Sequence, residues 1–531
     1  MMTDNQATAD GIVNEGLTHH HAGRFSDAEA AYRRALSLQP DHPSAIHLLG
    51  VLAYQVGKPD AAIELIGRAI LLRGDISEFH NSLGNAYLAA KRPADATASI
   101  KRAIELRNDF PSAWTNLGTA LGACEALEDA VAAHQQAVNL DPTYADAHYN
   151  LGNALKSWGK LSASVDAYRR AIELKPDASS FHNNLAIALQ AMGDLDSADT
   201  HCRRARELDP GAVEPHVISA IVLLMQGRFG EGFDAYEWRW KAPEWPQPPR
   251  DFPQTLWNGS SLDGRAIVVW AEQGVGDEIM FSGLIPEIAS AADRCLVDCD
   301  PRLAPLFERS FPGIETVDKW DPPKAPARSP TLDFQTPAGS LAQWLRRTEQ
   351  DFPRHDGYLR ADPERTREFR KRYGADGDRL VGISWRSGNA MYGEYRSAGL
   401  DLWDPVLTIS GVRFINLQYG DCAADIAAVV DRLGVDIIAD PSVDPLTNLD
   451  HFAAQVAAMD LVISIDNSTV HMAGALATPV WVLVPYVADW RWMSGREDSP
   501  WYPSLRLIRQ PTEGDWRGVM EQAGRDLANF A

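Results

Sequence analysis

Cysteine is scarce in this 531-residue chain: five residues, an odd number, with no CxxC pair. That leaves no disulfide framework and no paired metal-ligand spacing, so the thiols are read as free in a reducing cytoplasm. Positive charge is also short. Fifty Lys and Arg face 72 Asp and Glu, a formal net charge of −22. Nucleic acid is thereby excluded as a main partner, because binding its backbone needs a basic field. A small phosphate site built from helix dipoles and a few arginines stays open. Long apolar runs are missing too: none approaches the ~20 residues of a membrane span. The start, MMTDNQATADGIVNEG, has neither a basic n-region nor an apolar h-region, so no signal peptide is expected. What remains has ordinary globular composition, and its length predicts two to four domains.

The first part is repetitive. At a period of 34, Gly16, Gly50, Gly84, Gly118, Gly152, Ala186 and Ala220 fall in register. So do Ala28, Ala62, Ala96, Ala130, Ser164 and Ala198, and then Ala35, Ala69, Ala103, Ala137, Ala171 and Ala205. Pro40, Pro142, Pro176 and Pro210 end their units. Small residues at these offsets let antiparallel helices approach closely, and proline stops the second helix. The pattern resembles the tetratricopeptide repeat, with six full repeats over 9–212 and a partial seventh to 243. An α-solenoid with a concave, peptide-binding groove is expected. Asn14, Asn116, Asn150 and Asn184 recur two positions before the small residue, interrupted by Leu48 and Ser82. An amide offers a donor and an acceptor together and suits clamping a peptide backbone. The row resembles the asparagine ladder of O-GlcNAc transferase; the alternative is asparagine tolerated on a solvated face. His19, His20 and His21 are consecutive, point to different sides of one helix and are read as surface.

A proline-rich stretch, 244–258, reads as a linker. Strand patterns then alternate with helical ones. The first unit, 259–362, opens with the run Ala266–Ala271, then EQGVGDE and a helical segment, then CLVDC. A charged helix and hinge is expected over 363–378. The second unit, 379–531, carries LVGISW, RFINL, VDII and the apolar runs before Asp466 and after Pro479. Such alternation predicts parallel sheets with a ligand cleft at their carboxyl ends. Gly274-Val275-Gly276 followed by Asp298 has the look of a dinucleotide fingerprint, but Ile279 stands where the third glycine belongs. The two glycines permit positive φ and close approach of backbone to a ligand, and Asp277 heads the following helix. It is read either as a first-turn helix charge or as a general base. The segment ISIDNSTVHMAGALATPV places Asp466, Asn467, Ser468, Thr469 and His471 where a buried strand meets a helix N-terminus. That position suits phosphate; ordinary capping is the plain alternative.

GVGDEIMF in one unit with SIDNSTVHMAGALATPVWVLVP in the other resembles the ADP-heptose:lipopolysaccharide heptosyltransferase family over about 255–531. DPRLAPLFERSFPGIE and DWRWMSGREDSPWYPSLRLIRQ also fit bacterial proteins that fuse tetratricopeptide repeats to such a domain. The resemblance implies an α/β GT-B fold of two Rossmann-like domains. It also implies inverting sugar transfer from a nucleotide-sugar co-substrate without a required metal or other cofactor. Asp277 falls on the family's base. Asp466, Asn467, Ser468 and His471 fall on its Asp-Thr-Gly-x-x-His element, with Asn for Thr and Ser for Gly. Donor contacts are expected from these residues, from Thr469, from Arg386 and Arg396 in SWRSGNAMYGEYRS, and from Gln418 after the INL strand. His471 has the alternative of a satisfied interior histidine. Asp298-Cys299-Asp300 has metal-binding DxD spacing but ends a strand remote from the donor segment, and is not taken as a metal site. The implied acceptor is a protein recruited by the groove, such as a flagellar or surface protein. A glycan or lipid acceptor, or a non-catalytic scaffold, are the alternatives. Neither donor nucleotide nor sugar is specified.

Overall fold

The computed structural model describes the chain except Met1, Glu244, Pro246, Gln247, 375–376, 389–392 and Ala531, and except the side chains of 2–7. It divides into two compact units, Met1–Met192 with Thr200–Pro210, and Gly193–Asp199 with Gly211–Ala531.

The first unit is built of antiparallel helix pairs. Thirteen-residue helices such as Pro43–Gln55, Pro111–Ala123 and Ala145–Ser157 alternate with 14-residue helices such as Pro59–Leu72, Leu127–Leu140 and Leu161–Leu174. The glycine row is explained by what lies over it. A Cβ on Gly16 would stand 2.5 Å from the Tyr32 ring, on Gly118 2.5 Å from His134, and on Gly152 2.6 Å from Tyr168. Ile66 and Ile100 cover Gly50 and Gly84 in the same way. Tyr32, Ile66, Ile100, His134 and Tyr168 thus form a second row at the same period, each a large side chain seated where the partner helix has none. Both tyrosines are fully buried and His134 is 3% exposed. Burial alone pushes the His134 pKa down to about 4. His47, buried beside Ser82 (Nε2 to Oγ 3.0 Å), is likewise held at about 4 by burial, which outweighs the opposing charge of Glu78.

Two parallel sheets make the frame of the second unit. The first contains β1 (Thr255–Leu256), β2 (Ala266–Trp270), β3 (Arg294–Cys299), β4 (Ile314–Asp318) and β5 (Phe334–Pro337), in the order β1-β5-β2-β3-β4. The second contains β6 (Arg379–Ser384), β7 (Val412–Asn416), β8 (Ile437–Ile438), β9 (Leu461–Ile465), β10 (Val480–Val484) and β11 (Leu505–Arg509), in the order β11-β10-β9-β6-β7-β8. Every pairing is parallel. β2 and β9 are buried along their whole length, as strands covered on both faces must be. The second order is the doubly wound one: the chain runs outward from β6 to β8, then restarts at β9 on the other side. Its switch point lies between the carboxyl ends of β6 and β9. The first sheet has its own switch point between β2 and β5.

Three expected boundaries differ from what is seen. Helices Val213–Met225 and Phe229–Tyr236 were expected to close the repeat array at 243, yet they fall in the unit of the sheets. The 244–258 stretch contains more than a linker. Phe252 is buried and stacks on Trp270, Arg250 grips Asp298, and 255–256 form an edge strand. Helix Pro363–Tyr373 is not a bare hinge: it buries Phe369 and Tyr373 and ties Arg370 to Asp460 at 2.6 Å. Its expected continuation over Ala375 and Asp376 lies outside the described residues.

Candidate functional site

Both sequence-predicted segments lie at the switch points. After β2 the chain turns through Glu272, Gln273 and Gly274 into helix Val275–Ser282. Gln273 takes a left-handed φ of 61° without being glycine, a strain that needs outside support. Support comes from the end of helix Phe229–Tyr236. The Gln273 amide donates to the Tyr236 hydroxyl at 2.7 Å. Fully buried Arg239 donates to both oxygens of buried Glu272 at 3.0 and 2.7 Å, and to Ser340 Oγ at 2.9 Å. Glu272 also accepts the Gly339 N–H at 2.9 Å. Burial opposes a buried guanidinium, but Glu272 and Glu237 hold the Arg239 pKa above its ordinary value.

After β9, Asp466 and Asn467 lead into helix Ser468–Ala475. The two helices touch at their tips. A Cβ on Gly276 would lie 3.0 Å from His471 Cδ2 and 3.7 Å from Ser468 Cα, so only glycine admits this approach without displacing the ring. The backbone N–H groups of Val275, Gly276 and Ser468 donate to no acceptor among the described residues. The Thr469 hydroxyl is completely buried and also without a hydrogen-bond partner there.

A chain of charges runs through this place. Asp277 pairs with Arg491, which holds Asp489 at 2.6 Å; Asp489 pairs with Arg396 at 2.8 Å, and Arg396 with Asp466 at 3.0 Å. Asp277 belongs to the first sheet's turn; the other four follow strands of the second sheet. For Asp489, burial favours the neutral acid, but Arg491 and Arg396 outweigh it and hold the carboxyl at about 2. For Asp466 burial prevails and raises the pKa despite Arg396. The carboxylates keep Arg491 protonated well beyond its ordinary range, against the cost of burial.

The expected residues divide. Asp277, Arg396, Asp466, Ser468, Thr469 and His471, with the Gly274 and Gly276 turn, are brought together. His471 is 5% exposed, bonds Tyr502 through Nδ1 at 2.8 Å and stacks on Trp492 at 5.3 Å. Burial, then the charge of Arg491, pushes its pKa down to about 4, so it is neutral at pH 7. Its Nε2 has no partner among the described residues. Three expectations need correction. Gln418 is not available to a donor, because its Oε1 accepts from Ser384 Oγ, Trp385 N and Arg386 N, and its Nε2 donates to Arg386 and Tyr419 carbonyls. Asn467 caps its own helix through Thr469 N (2.9 Å), and its amide donates to Ser384 Oγ at 2.8 Å, so for this side chain the plain capping role holds. Arg386 turns away, to the Asp421 carbonyl at 2.6 Å and to Asp425 at 3.3 Å.

Arg491, Asp489, Trp492 and Tyr502 were missed as site residues. The signal was present in DWRW, a charged cluster just beyond the carboxyl end of β10, but sequence does not reveal that this loop meets Asp277. Asp298 and Asp300 are each engaged by an arginine, Arg250 and Arg302. In the first unit, Asn116 donates to Asn81 at 2.9 Å and Asn184 to Tyr149 at 2.6 Å, one repeat back. Those two amides are spent within the array, which weakens the expected ladder. Asn14 is exposed and Asn150 half-buried.

Residues 123–159 and 152–193 match the family described as TPR repeat, and residues 19–86 the family described as Tetratricopeptide repeat. The chain therefore carries tetratricopeptide repeats, followed by a unit with two parallel sheets. It is similar to Protein FlbA of Caulobacter vibrioides, 35% identical over 335 residues, which cover 59% of this chain and 54% of that protein. The chain thus spans about half the length of this relative. Among solved structures, pilF of Pseudomonas aeruginosa aligns at 17% identity with a TM-score of 0.37, over 41% of this chain and 99% of that one. YrrB, a TPR protein described as having an unusual peptide-binding site, aligns at 18% identity with a TM-score of 0.29, over 35% of this chain and 95% of that one.

Proposed function

We propose that the second unit is a GT-B glycosyltransferase that moves a sugar from a nucleotide-sugar donor to a hydroxyl acceptor, with inversion and no metal. The carrying observation is the meeting of two switch points, where the Asp277 carboxylate on one side pairs with the Arg491 guanidinium on the other and Gly276 lies against the open tip of helix Ser468–Ala475. Phosphate is the ligand whose charge and geometry fit the Ser468 N–H, the Thr469 hydroxyl, Arg396 and Arg491. Negative charge builds on that phosphate as the glycosidic bond breaks, and these groups stabilise it. Asp277 then takes the acceptor proton. The repeats recruit a protein acceptor, for which a flagellar or surface protein is the proposed class, and the reaction is cytoplasmic.

Thermal-shift screening of the full chain against ADP-, UDP-, GDP- and CMP-sugars tests the donor, since a ligand of the native state raises its stability. With the donor found, Asp277→Asn is expected to lower transfer at least 100-fold while folding is kept. Unchanged transfer in that variant refutes the assignment of the base. A scaffold without catalysis is the second reading, favoured by the ion pair that occupies Asp277. Stabilisation by no nucleotide sugar is the result expected from it.

A further inference from the structure

Asp277 is not at liberty to act as a base. One carboxylate oxygen is held by Arg491, and the other accepts the Gly274 N–H at 3.2 Å. While Arg491 holds one oxygen and the Gly274 N–H the other, an acceptor hydroxyl must compete with the guanidinium for its place on the carboxylate. The same guanidinium is one of two cations positioned for a phosphate, the other being Arg396. Both are already shared: three carboxylates, Asp277, Asp489 and Asp466, alternate with the two arginines. Asp489 is bound by both arginines, and Asp466 at the far end is 4% exposed, whereas Asp277 is the most exposed of the three at 18% and sits at the other end of the series on the opposite sheet. An incoming phosphate therefore competes most directly with Asp277.

Resting on the glycosyltransferase proposal, we infer that Arg491 couples donor binding to the base: the donor's phosphate takes the Arg491 guanidinium from Asp277, and the released carboxylate becomes competent only when donor is present. The atoms balance without any further reactant. The acceptor oxygen bonds to the anomeric carbon, its proton passes to Asp277, and the anomeric C–O bond breaks with its electron pair going to the phosphate oxygen held by Arg491. With the site empty the carboxylate is silent, so water is not activated beside it. Arg491 is a positioning residue for the base and a direct contact for the leaving group.

Competition of this kind has a signature that a purely structural ion pair lacks: removing the carboxylate's charge makes the anion bind more tightly. Calorimetric titrations of the full chain with ADP, UDP, GDP and CMP, and with inorganic pyrophosphate, compare wild type, Asp277→Asn, Arg491→Gln and Arg491→Lys. Asp277→Asn is expected to bind the preferred nucleotide about 5- to 20-fold more tightly than wild type, the size of an ordinary coupling between sites. Arg491→Gln is expected to lose about 10-fold or more, and Arg491→Lys, which keeps the charge but not the fork, to recover part of the loss. Far-UV circular dichroism verifies folding. Should Asp277→Asn prove unfolded, Asp277→Ser, which also removes the charge, carries the same expectation. If wild type binds a nucleotide and the folded Asp277 variants bind it equally or more weakly, the coupling is overturned while the transferase proposal stands. If none of the probes binds wild type or any variant, both fall.

Discussion

Arg239 and Glu272 form a pair whose removal has a computable cost. Both side chains are fully shielded from solvent, 2.7 Å apart at the closest oxygen. In Arg239→Met, Glu272 loses both guanidinium contacts and, among the described residues, keeps only the Gly339 N–H. An uncompensated buried charge of this kind costs about 3–5 kcal/mol. The second variant, Arg239→Met with Glu272→Gln, removes that charge and retains an acceptor for Gly339 N–H. It is expected to recover at least about half of the loss, because the two groups act as one. Urea unfolding followed by tryptophan fluorescence reports the second unit, since only Trp114 and Trp158 lie in the first. The single variant is expected to lower the midpoint of that transition by about 1 M or more. A single variant within about 0.5 kcal/mol of wild type refutes the reasoning. So does a double variant whose loss equals the sum of Arg239→Met and Glu272→Gln measured alone. Because Glu272 directly precedes strained Gln273, the single variant is also expected to weaken nucleotide binding.

Other consequences follow from burial and packing. His47 and His134 have pKa values of about 4 when folded against an ordinary value near 6.5. Between those limits the unfolded chain binds more protons, so the first unit loses stability as pH falls from about 6.5 to 4, by roughly 2–3 kcal/mol per histidine. His134→Tyr, which restores the residue found at 32 and 168, is expected to remove one share of that acid sensitivity, read by circular dichroism melts at pH 5 and 7; an unchanged pH dependence counts against the assignment. Gly152→Ala drives a Cβ to 2.6 Å from Tyr168 and is expected to cost about 1–3 kcal/mol, whereas Gly152→Ala with Tyr168→Ala is expected to be tolerated better than Tyr168→Ala with Gly152 kept. Gln418→Leu orphans the N–H groups of buried Trp385 and its neighbour Arg386 and is expected to destabilise the second unit by about 2–4 kcal/mol, measured by the same fluorescence titration; a neutral result removes Gln418 from its clamping role.

The sequence was most legible where one interaction repeats or where strands are buried on both faces. The glycine and alanine rows showed the helical array because each unit solves the same packing problem at the same offset. The partner row, Tyr32 to Tyr168, was harder to read, since tyrosine, isoleucine and histidine share only bulk. β2 and β9 stood out as unbroken apolar runs. β1, β4 and β5 did not: two are short or at an edge, and β4 is only partly buried. Side-chain roles were less legible than positions. Gln418 and Asn467 were placed correctly at strand ends, yet both are consumed by neighbouring backbone and hydroxyl groups that a sequence does not display. Arg386 and Arg396 belong to one segment and point to different partners, Arg386 to Asp425 and Arg396 to Asp466 and Asp489.

By itself the amino-acid order determined the repeat period, the parallel sheets and the polar turns that follow β2 and β9, since these depend on periodicity and on side chains near in the chain. Tertiary structure alone decided that Asp277 meets Arg491, 214 positions away, that Arg239 braces the turn before it, and that two arginines are divided among three carboxylates. Those outcomes depend on which loops two separate sheets bring together, and a charge has no preferred partner until folding supplies one.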